Sequence, residues 1–355
     1  MSASVASLDE DMSRYQPPLT LTTRMLALIA DISEQIGQLS AVDDCRQTPQ
    51  LRRGNRIRTI QASLAIENNT LSIEQVTAVL AGQRVLGLPR EIQEVRNAFA
   101  AYESMPDWQP DSRTDLLRAH ELLMGGLIDD CGQFRRSGVG IYRGEKLVHM
   151  APPPSRISHL MDDLLAWLGA SDWHPLIISC VFHYEFEFIH PFADGNGRMG
   201  RLWQTLILSQ WRPVLAYLPV EAVIREQQDA YYGALSAADQ LAEATPFVEF
   251  MLQALSLALE EAVRSEPVTD QVIDQVTDQV ARLLGVLRES ASLKVNELMA
   301  QVGLAHKATF RANYLKPALV ADLIEMTVPD SPNNPAQRYR LTELGKQTAG
   351  RSRSA

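Results

Sequence analysis

One stretch of this 355-residue chain, IHPFADGNGRMGRLW from Ile189 to Trp203, concentrates residue types that do chemistry on phosphates. Apolar residues at helical spacing lead into it (Val181, Phe182, Phe186, Phe188), and Pro191 ends that helix, because the residue before a proline is driven away from helical geometry. Gly195 and Gly197 then let backbone N–H groups approach an anion closely, and the helix opening behind them adds unpaired donors and a favourable dipole. Arg198 and Arg201 stand three apart on nearly one face of that helix, spaced to grip successive phosphates. Asp194 offers a hard oxygen of the kind Mg²⁺ takes when it bridges phosphates. His190 supplies an imidazole suited to proton abstraction near neutral pH. With no Ser, Thr or Cys inside the loop, the pattern predicts transfer from a bound polyphosphate to an external hydroxyl, His190 being the general base. A metal set of His183, Glu187 and His190 also has helical spacing, but it accounts for neither the glycines nor the arginines.

Elements on both sides must hold this loop. Helical periodicity predicts helices over 19–40, 49–66, 89–105, 114–126, 157–168, 175–189, 198–211, 221–239 and 246–263. Ser72 with Gln75 reads as a capping box opening a short helix to Leu80. Residues 138–142 and 147–150 alternate as strands around a four-residue turn, a β-hairpin closed by three prolines at 152–154. The repeat VTDQVIDQVTDQV at 268–280 predicts the start of a short helix. Helices at 295–301 and 307–315 follow, then strands at 323–327 and 337–341, the order of a winged helix-turn-helix. The fold class is therefore mainly α, with one small hairpin and a C-terminal winged helix-turn-helix domain.

Composition sets outer limits. The chain is 46% hydrophobic and 21% charged, which suits packed domains and excludes a mainly disordered chain. It shows neither a membrane-length apolar run nor a secretory leader, and three scattered cysteines fit a reducing, cytoplasmic setting. The net charge is −10, yet residues 291–355 hold nine Lys/Arg against five Asp/Glu, so an acidic body carries a mildly basic tail.

The run from His190 to Arg201 resembles, without departure, the signature of the Fic family, His-Pro-Phe-x-Asp/Glu-Gly-Asn-Gly-Arg-x-x-Arg. The resemblance implies a helical core over residues 113–265, Mg²⁺-ATP as substrate, and transfer of AMP to a Ser, Thr or Tyr of a target protein. It implies that His190 deprotonates the target and Asp194 holds Mg²⁺. Asn196 and the loop backbone at Gly195, Gly197 and Gly200 would bind phosphate, with Arg198 and Arg201 on the outer phosphates. Val139, Gly140, Ile141 and Tyr142 would lie on a flap that clamps the target, and Tyr231 with Tyr232 would line the adenine site. The related Doc-type kinases carry Lys where Gly197 stands here, so Gly197 favours AMP transfer over phosphorylation.

Upstream, Ser63, Glu67 and Asn68 are similar to the family's inhibitory motif, Ser/Thr-x-x-x-Glu-Gly/Asn, which implies that Glu67 pairs with Arg201 and withdraws it from ATP. Some self-inhibited relatives also remove AMP. The domain reading is a flexible tail at 1–18, a helical region with the inhibitory helix at 19–112, the catalytic core, a winged-helix domain at 268–346 and a tail at 347–355. His306–Lys316 would be the recognition helix, its partner DNA or protein; a homodimer is expected by analogy alone. A nucleotide-sensing DNA-binding regulator and a Fic-fold kinase are the competing functions.

Overall fold

The computed structural model describes residues 15–46, 49–143, 146–264, 278–288, 290, 292–304, 307–320, 323–327 and 337–351. It divides into two compact units, the larger comprising the described residues of 15–45 and 52–264 and the smaller those of 46–51 and from 278 onward.

The larger unit opens with α1 (Thr23–Arg46), α2 (Pro49–Ile66), α3 (Ile73–Leu80), α4 (Pro89–Ser104) and α5 (Arg113–Met124). An antiparallel pair follows, β1 (Gly140–Arg143) and β2 (Lys146–Met150), with its register shifted between Ile141 and Tyr142. Then come α6 (Pro154–Ala170), α7 (Pro175–Ile189), α8 (Asn196–Trp211), α9 (Val220–Glu226), α10 (Gln228–Leu241) and α11 (Thr245–Arg264). Helix α7 is buried on every side from Leu176 to Phe186, as a helix apolar all round must be. It packs on α8, with α6 and α11 flanking it. Gly200 lets α7 and α8 approach closely, since a Cβ there would meet His183 Cδ2 at 2.8 Å and Glu187 Oε1 at 2.9 Å. The loop from His190 to Gly195 therefore joins the two most deeply packed helices, which suits a site needing fixed geometry.

Most predicted elements appear within a few residues of their expected bounds. The capping box at Ser72 and Gln75 is formed in full. One expected helix, 221–239, is two, because Gln227 leaves helical geometry at φ −110°, ψ 32°. The hairpin strands run further than expected, reaching Arg143 and Lys146. Tyr15 to Pro18 are packed, in correction of the flexible tail at 1–18: Tyr15 donates to Glu185 Oε2 at 2.7 Å, and the Pro18 carbonyl accepts from Ala244 N at 2.8 Å. Residues 1–14 lie outside the described residues.

The smaller unit contains α12 (Asp278–Arg288), α13 (Val295–Gln301) and α14 (Lys307–Phe310). A wider π turn at Arg311–Leu315 carries α14 on into α15 (Lys316–Val320). Strands β3 (Ile324–Met326) and β4 (Tyr339–Leu341) pair antiparallel, and α16 (Glu343–Arg351) closes the unit. Leu283, Leu284, Leu298, Phe310, Leu323 and Ile324 form its core. Helix α16 corrects the tail expected at 347–355: it continues to Arg351, buries Thr348 and Ala349, and receives a hydrogen bond from Arg288 at the Ala349 carbonyl. The repeat at 268–280, apart from 278–280, and His306 lie outside the described residues. Among the described residues, no helix is long and apolar enough to cross a membrane.

Candidate active site

His190 caps the C-terminus of α7 in the left-handed conformation, φ 50°, ψ 61°. For a residue with a Cβ this costs on the order of 1 kcal/mol and needs outside support. The support comes from both sides. The His190 N–H donates to Phe186 O at 2.9 Å, and its carbonyl accepts from Arg135 Nε at 2.7 Å. Arg135 is buried and donates also to the carbonyls of Ser137 and Pro152, each at 2.7 Å, so one guanidinium ties both feet of the hairpin to the backbone of His190. The Glu187 carboxylate lies 4.0 Å from His190 Nδ1, one helical turn back.

Past Pro191 the chain folds over Asn196. Its side chain accepts from Phe192 N and donates to Phe192 O, both at 2.9 Å, and is buried. Asn196 therefore fixes the loop's shape, and both ends of its amide are engaged in doing so. Gly195 has φ +86°, where a Cβ would also meet Met124 Sδ at 2.6 Å. Beneath the loop, His120 stacks on Phe192 with ring centroids 3.6 Å apart. Gly132 N donates to His120 Nδ1, which leaves Nε2 to donate to the Asp194 carbonyl at 3.0 Å. Burial pushes the His120 pKa down to about 4, so the ring is neutral in this role.

At the cradle itself, Arg201 is buried and held from α2. Its Nε donates to Ser63 Oγ at 3.0 Å, and its Nη2 to Ser63 O at 3.0 Å and Glu67 Oε1 at 2.8 Å. Burial is the largest influence and works against the Arg201 charge, but Glu67, Tyr231 and Glu187 together outweigh it and hold the guanidinium above its ordinary range. Gly197 defines where that carboxylate sits: a Cβ at Gly197 would collide with Glu67 Oε1 and lie 3.1 Å from Arg201 Nη1. The gap that a glycine leaves for an anion is filled by a carboxylate. Asn68, next in the chain, takes φ 66° as α2 ends.

Arg198 is engaged differently. It reaches Asp194 Oδ1 at 3.2 Å and Glu94 Oε1 at 3.4 Å, and Arg90 bridges the same two acids from the other side. Asp194 also accepts from Gly195 N at 2.6 Å and is partly open to solvent.

The remaining expected residues fall into two groups. Val139 and Gly140 stand at the start of the hairpin, with Val139 O accepting from Ala151 N at 3.2 Å. Ile141 and Tyr142 are placed by backbone register alone, opposite His149 and Leu147; their side chains lie outside the described ones. Tyr231 is buried and its hydroxyl meets His183 Nε2 at 3.2 Å, which makes it part of the core behind Arg201. Tyr232 is 37% exposed; burial first and then the Glu67 carboxylate raise its hydroxyl pKa. His183 is no metal ligand here. It bonds Gln204 Oε1 at 2.7 Å, and burial pushes its pKa down to about 3. Among the described residues no group of three His, Cys, Asp or Glu side chains is placed to hold a metal ion.

Sequence reasoning missed His120, Arg135, Arg90 and Glu94. Arg135 had one faint signal, a basic residue between Phe134 and Gly138 at the foot of a predicted hairpin. The other three had none, since each matters through contact with a residue far along the chain.

Residues 110–208 match a family model described as Fic/DOC family, and residues 278–342 match one described as Filamentation induced by cAMP protein Fic-like, C-terminal domain. A crystal structure of a Fic family protein from Desulfovibrio desulfuricans G20 is 61% identical, with a TM-score of 0.71 over 93% of this chain and 99% of that one. A Fic domain containing signaling protein from Bacteroides thetaiotaomicron is 19% identical, with a TM-score of 0.57 over 66% of this chain and 97% of that one, and shares the fold. Among curated proteins, Protein adenylyltransferase Fic of Aedes aegypti is 29% identical over 241 residues, 62% of this chain and 45% of that one. The chain thus spans a little under half the length of that relative.

Proposed function

This chain belongs to the Fic family, and from that premise we propose that it is a protein adenylyltransferase, moving AMP from ATP to a hydroxyl side chain of a target protein and restrained by its own Glu67. One observation carries the reading. An anion already occupies the place a phosphate would take, above Gly197 and in the grip of Arg201.

In the proposed reaction the triphosphate lies along the N-terminus of α8, where the backbone N–H groups and helix dipole favour it. His190 takes the proton from the target hydroxyl, whose oxygen attacks the α-phosphorus. The bond from that phosphorus to the bridging oxygen breaks, and pyrophosphate leaves. Arg198 and Arg201 stabilise the charge that develops on the leaving group. A Mg²⁺ ion fits this donor set: it asks for one or two carboxylates and takes its other ligands from phosphate and water, and Asp194 is a half-open carboxylate at the loop. There it would neutralise charge on the phosphates.

Glu67 restrains the reaction by occupying the cradle and engaging Arg201, so that ATP binds in a pose that the leaving group cannot exploit. Asn196 acts through loop shape and Arg135 through the backbone of His190. For the smaller unit we infer a protein-docking role, because Arg338 and Arg340 pair with Glu297 and Glu325 of the same unit, which leaves its hairpin little net charge for a phosphate backbone.

The test is incubation of the Glu67→Gly protein with labelled ATP and a cell lysate, followed by mass analysis of the labelled protein. The mass of one AMP group on a Ser, Thr or Tyr is expected, and its absence when His190→Ala is added. A phosphate-sized mass would establish a kinase, and no modification would favour a nucleotide-sensing regulator.

A further inference from the structure

Arg90 lies outside the loop, outside the inhibitory motif and on a different helix from either, yet it touches the site. Its Nη2 is 3.2 Å from Asp194 Oδ2 and its Nε is 3.5 Å from Glu94 Oε1. Arg198 spans the same two acids, at 3.2 Å to Asp194 Oδ1 and 3.4 Å to Glu94 Oε1. The four side chains make a closed ring of alternating charge, two arginines and two carboxylates, at the edge of the anion cradle.

The ring's members are not equally held. The Arg198 side chain is 6% exposed and that of Glu94 is 12%, whereas Arg90 is 59% exposed. Glu94 is fixed further by Asn69, whose Nδ2 donates to Glu94 Oε2 at 2.8 Å. Arg198 and Glu94 are therefore built in, and Arg90 is the solvent-facing partner. Its pairing with Asp194 is between two solvated groups, and such pairs contribute little. An arginine on a phosphate oxygen forms a charge-assisted and often bidentate contact, roughly twice as strong as a neutral hydrogen bond. Exchange of carboxylate for phosphate is favourable for Arg90. Asp194 also cannot serve two guanidiniums and a divalent cation with the same oxygens, so loading of the site frees Arg90 at the moment phosphates arrive.

We propose that Arg90 is a phosphate-binding residue of the nucleotide site, contributed by α4, which leaves Asp194 and takes hold of the outer phosphates of a nucleoside triphosphate. The proposal rests on the reading of the loop as a triphosphate site and deepens it. It gives an acidic protein a third cation at the cradle. It also makes affinity depend on phosphate number, since a monophosphate leaves Arg90 without a partner to reach.

Calorimetric titration of ATP and of AMP, each with Mg²⁺, into the Glu67→Gly protein and into Glu67→Gly with Arg90→Ala tests this. ATP affinity is expected to fall about tenfold on Arg90→Ala, the value of one solvent-facing charge-assisted contact. AMP affinity should change less than about twofold. Arg90→Lys should recover part of the ATP affinity, because it keeps the charge and loses the fork. Equal losses for ATP and AMP would overturn the proposal by showing that Arg90 only shapes the loop. Unchanged or tighter ATP binding would overturn it by showing that Arg90 is merely a counter-ion to Asp194 and Glu94. Failure of the Glu67→Gly protein itself to bind any nucleotide would instead sink the functional reading, and this proposal with it.

Discussion

Replacing Glu67 with Gly should make the protein faster and less stable at once. Arg201 is held by three contacts, two to Ser63 and one to the Glu67 carboxylate, and the substitution removes only the last. A hydrogen bond between charged partners contributes about 1.5–3 kcal/mol. The Arg201 side chain is 1% exposed but that of Glu67 is 35% exposed, so solvent screens the carboxylate and the lower end applies, about 1.5 kcal/mol. If phosphate and carboxylate compete for one guanidinium, that much free energy raises the productive fraction, and the transfer rate, by about tenfold. Stability should fall by about 1–3 kcal/mol, because a buried arginine loses its counter-charge. Initial rates of label incorporation, with a denaturant melt on the same sample, give both numbers. Glu67→Gln separates charge from bulk: it keeps an amide over Gly197 while removing the ion pair, and an increase of about threefold is expected. A Glu67→Gly protein that is folded and no faster than the parent would refute the competition argument.

Other consequences follow from the supports around the loop. Arg135→Ala would remove the hydrogen bonds that a buried guanidinium gives to the carbonyls of His190, Ser137 and Pro152, and a loss of about 1–3 kcal/mol is expected in a denaturant melt, with Arg135→Lys milder. His120 is neutral when folded, with its pKa pushed down to about 4 by burial, and returns to about 6.5 when unfolded. The unfolded chain therefore binds more protons between those values, and stability falls as the pH drops from about 6.5 towards 4. That part of the pH dependence should shrink in His120→Asn, measured by melting at a series of pH values; an unchanged slope would count against the assignment. DNA titrated against the full chain should bind weakly and with little salt dependence, and an affinity that collapses between low and high salt would reverse the docking assignment for the smaller unit.

What the sequence disclosed divides along a physical line. The loop from His190 to Arg201 was readable because its chemistry is local: glycines, arginines and an acid within one turn of chain predict an anion cradle before any folding is considered. The helices were readable because apolar spacing marks a buried face. Spacing does not name the neighbour, however, and here the neighbours complete the site. Glu67 was found through its likeness to a known motif, while its placement over Gly197 emerges only when α2 meets α8. Glu94, Arg90, His120 and Arg135 share no pattern with the loop, and their roles come from α4, α5 and the approach to the hairpin meeting it in space. Asn196 shows the converse. The family resemblance implied a phosphate contact for it, and what folding adds is its buried side chain's grip on the backbone of Phe192. The helix at Glu343–Arg351 was missed because only its packing on α12 reveals it.

The central claim is that a carboxylate and a phosphate contend for the same place above Gly197. A crystal structure of the Glu67→Gly protein with a non-hydrolysable ATP analogue and Mg²⁺ tests it most directly. The account predicts a phosphate in the space the Glu67 carboxylate leaves, bound by Arg201 and the loop backbone, with the α-phosphorus facing His190. A nucleotide bound elsewhere, or one that leaves Arg201 turned to Ser63 alone, would contradict it.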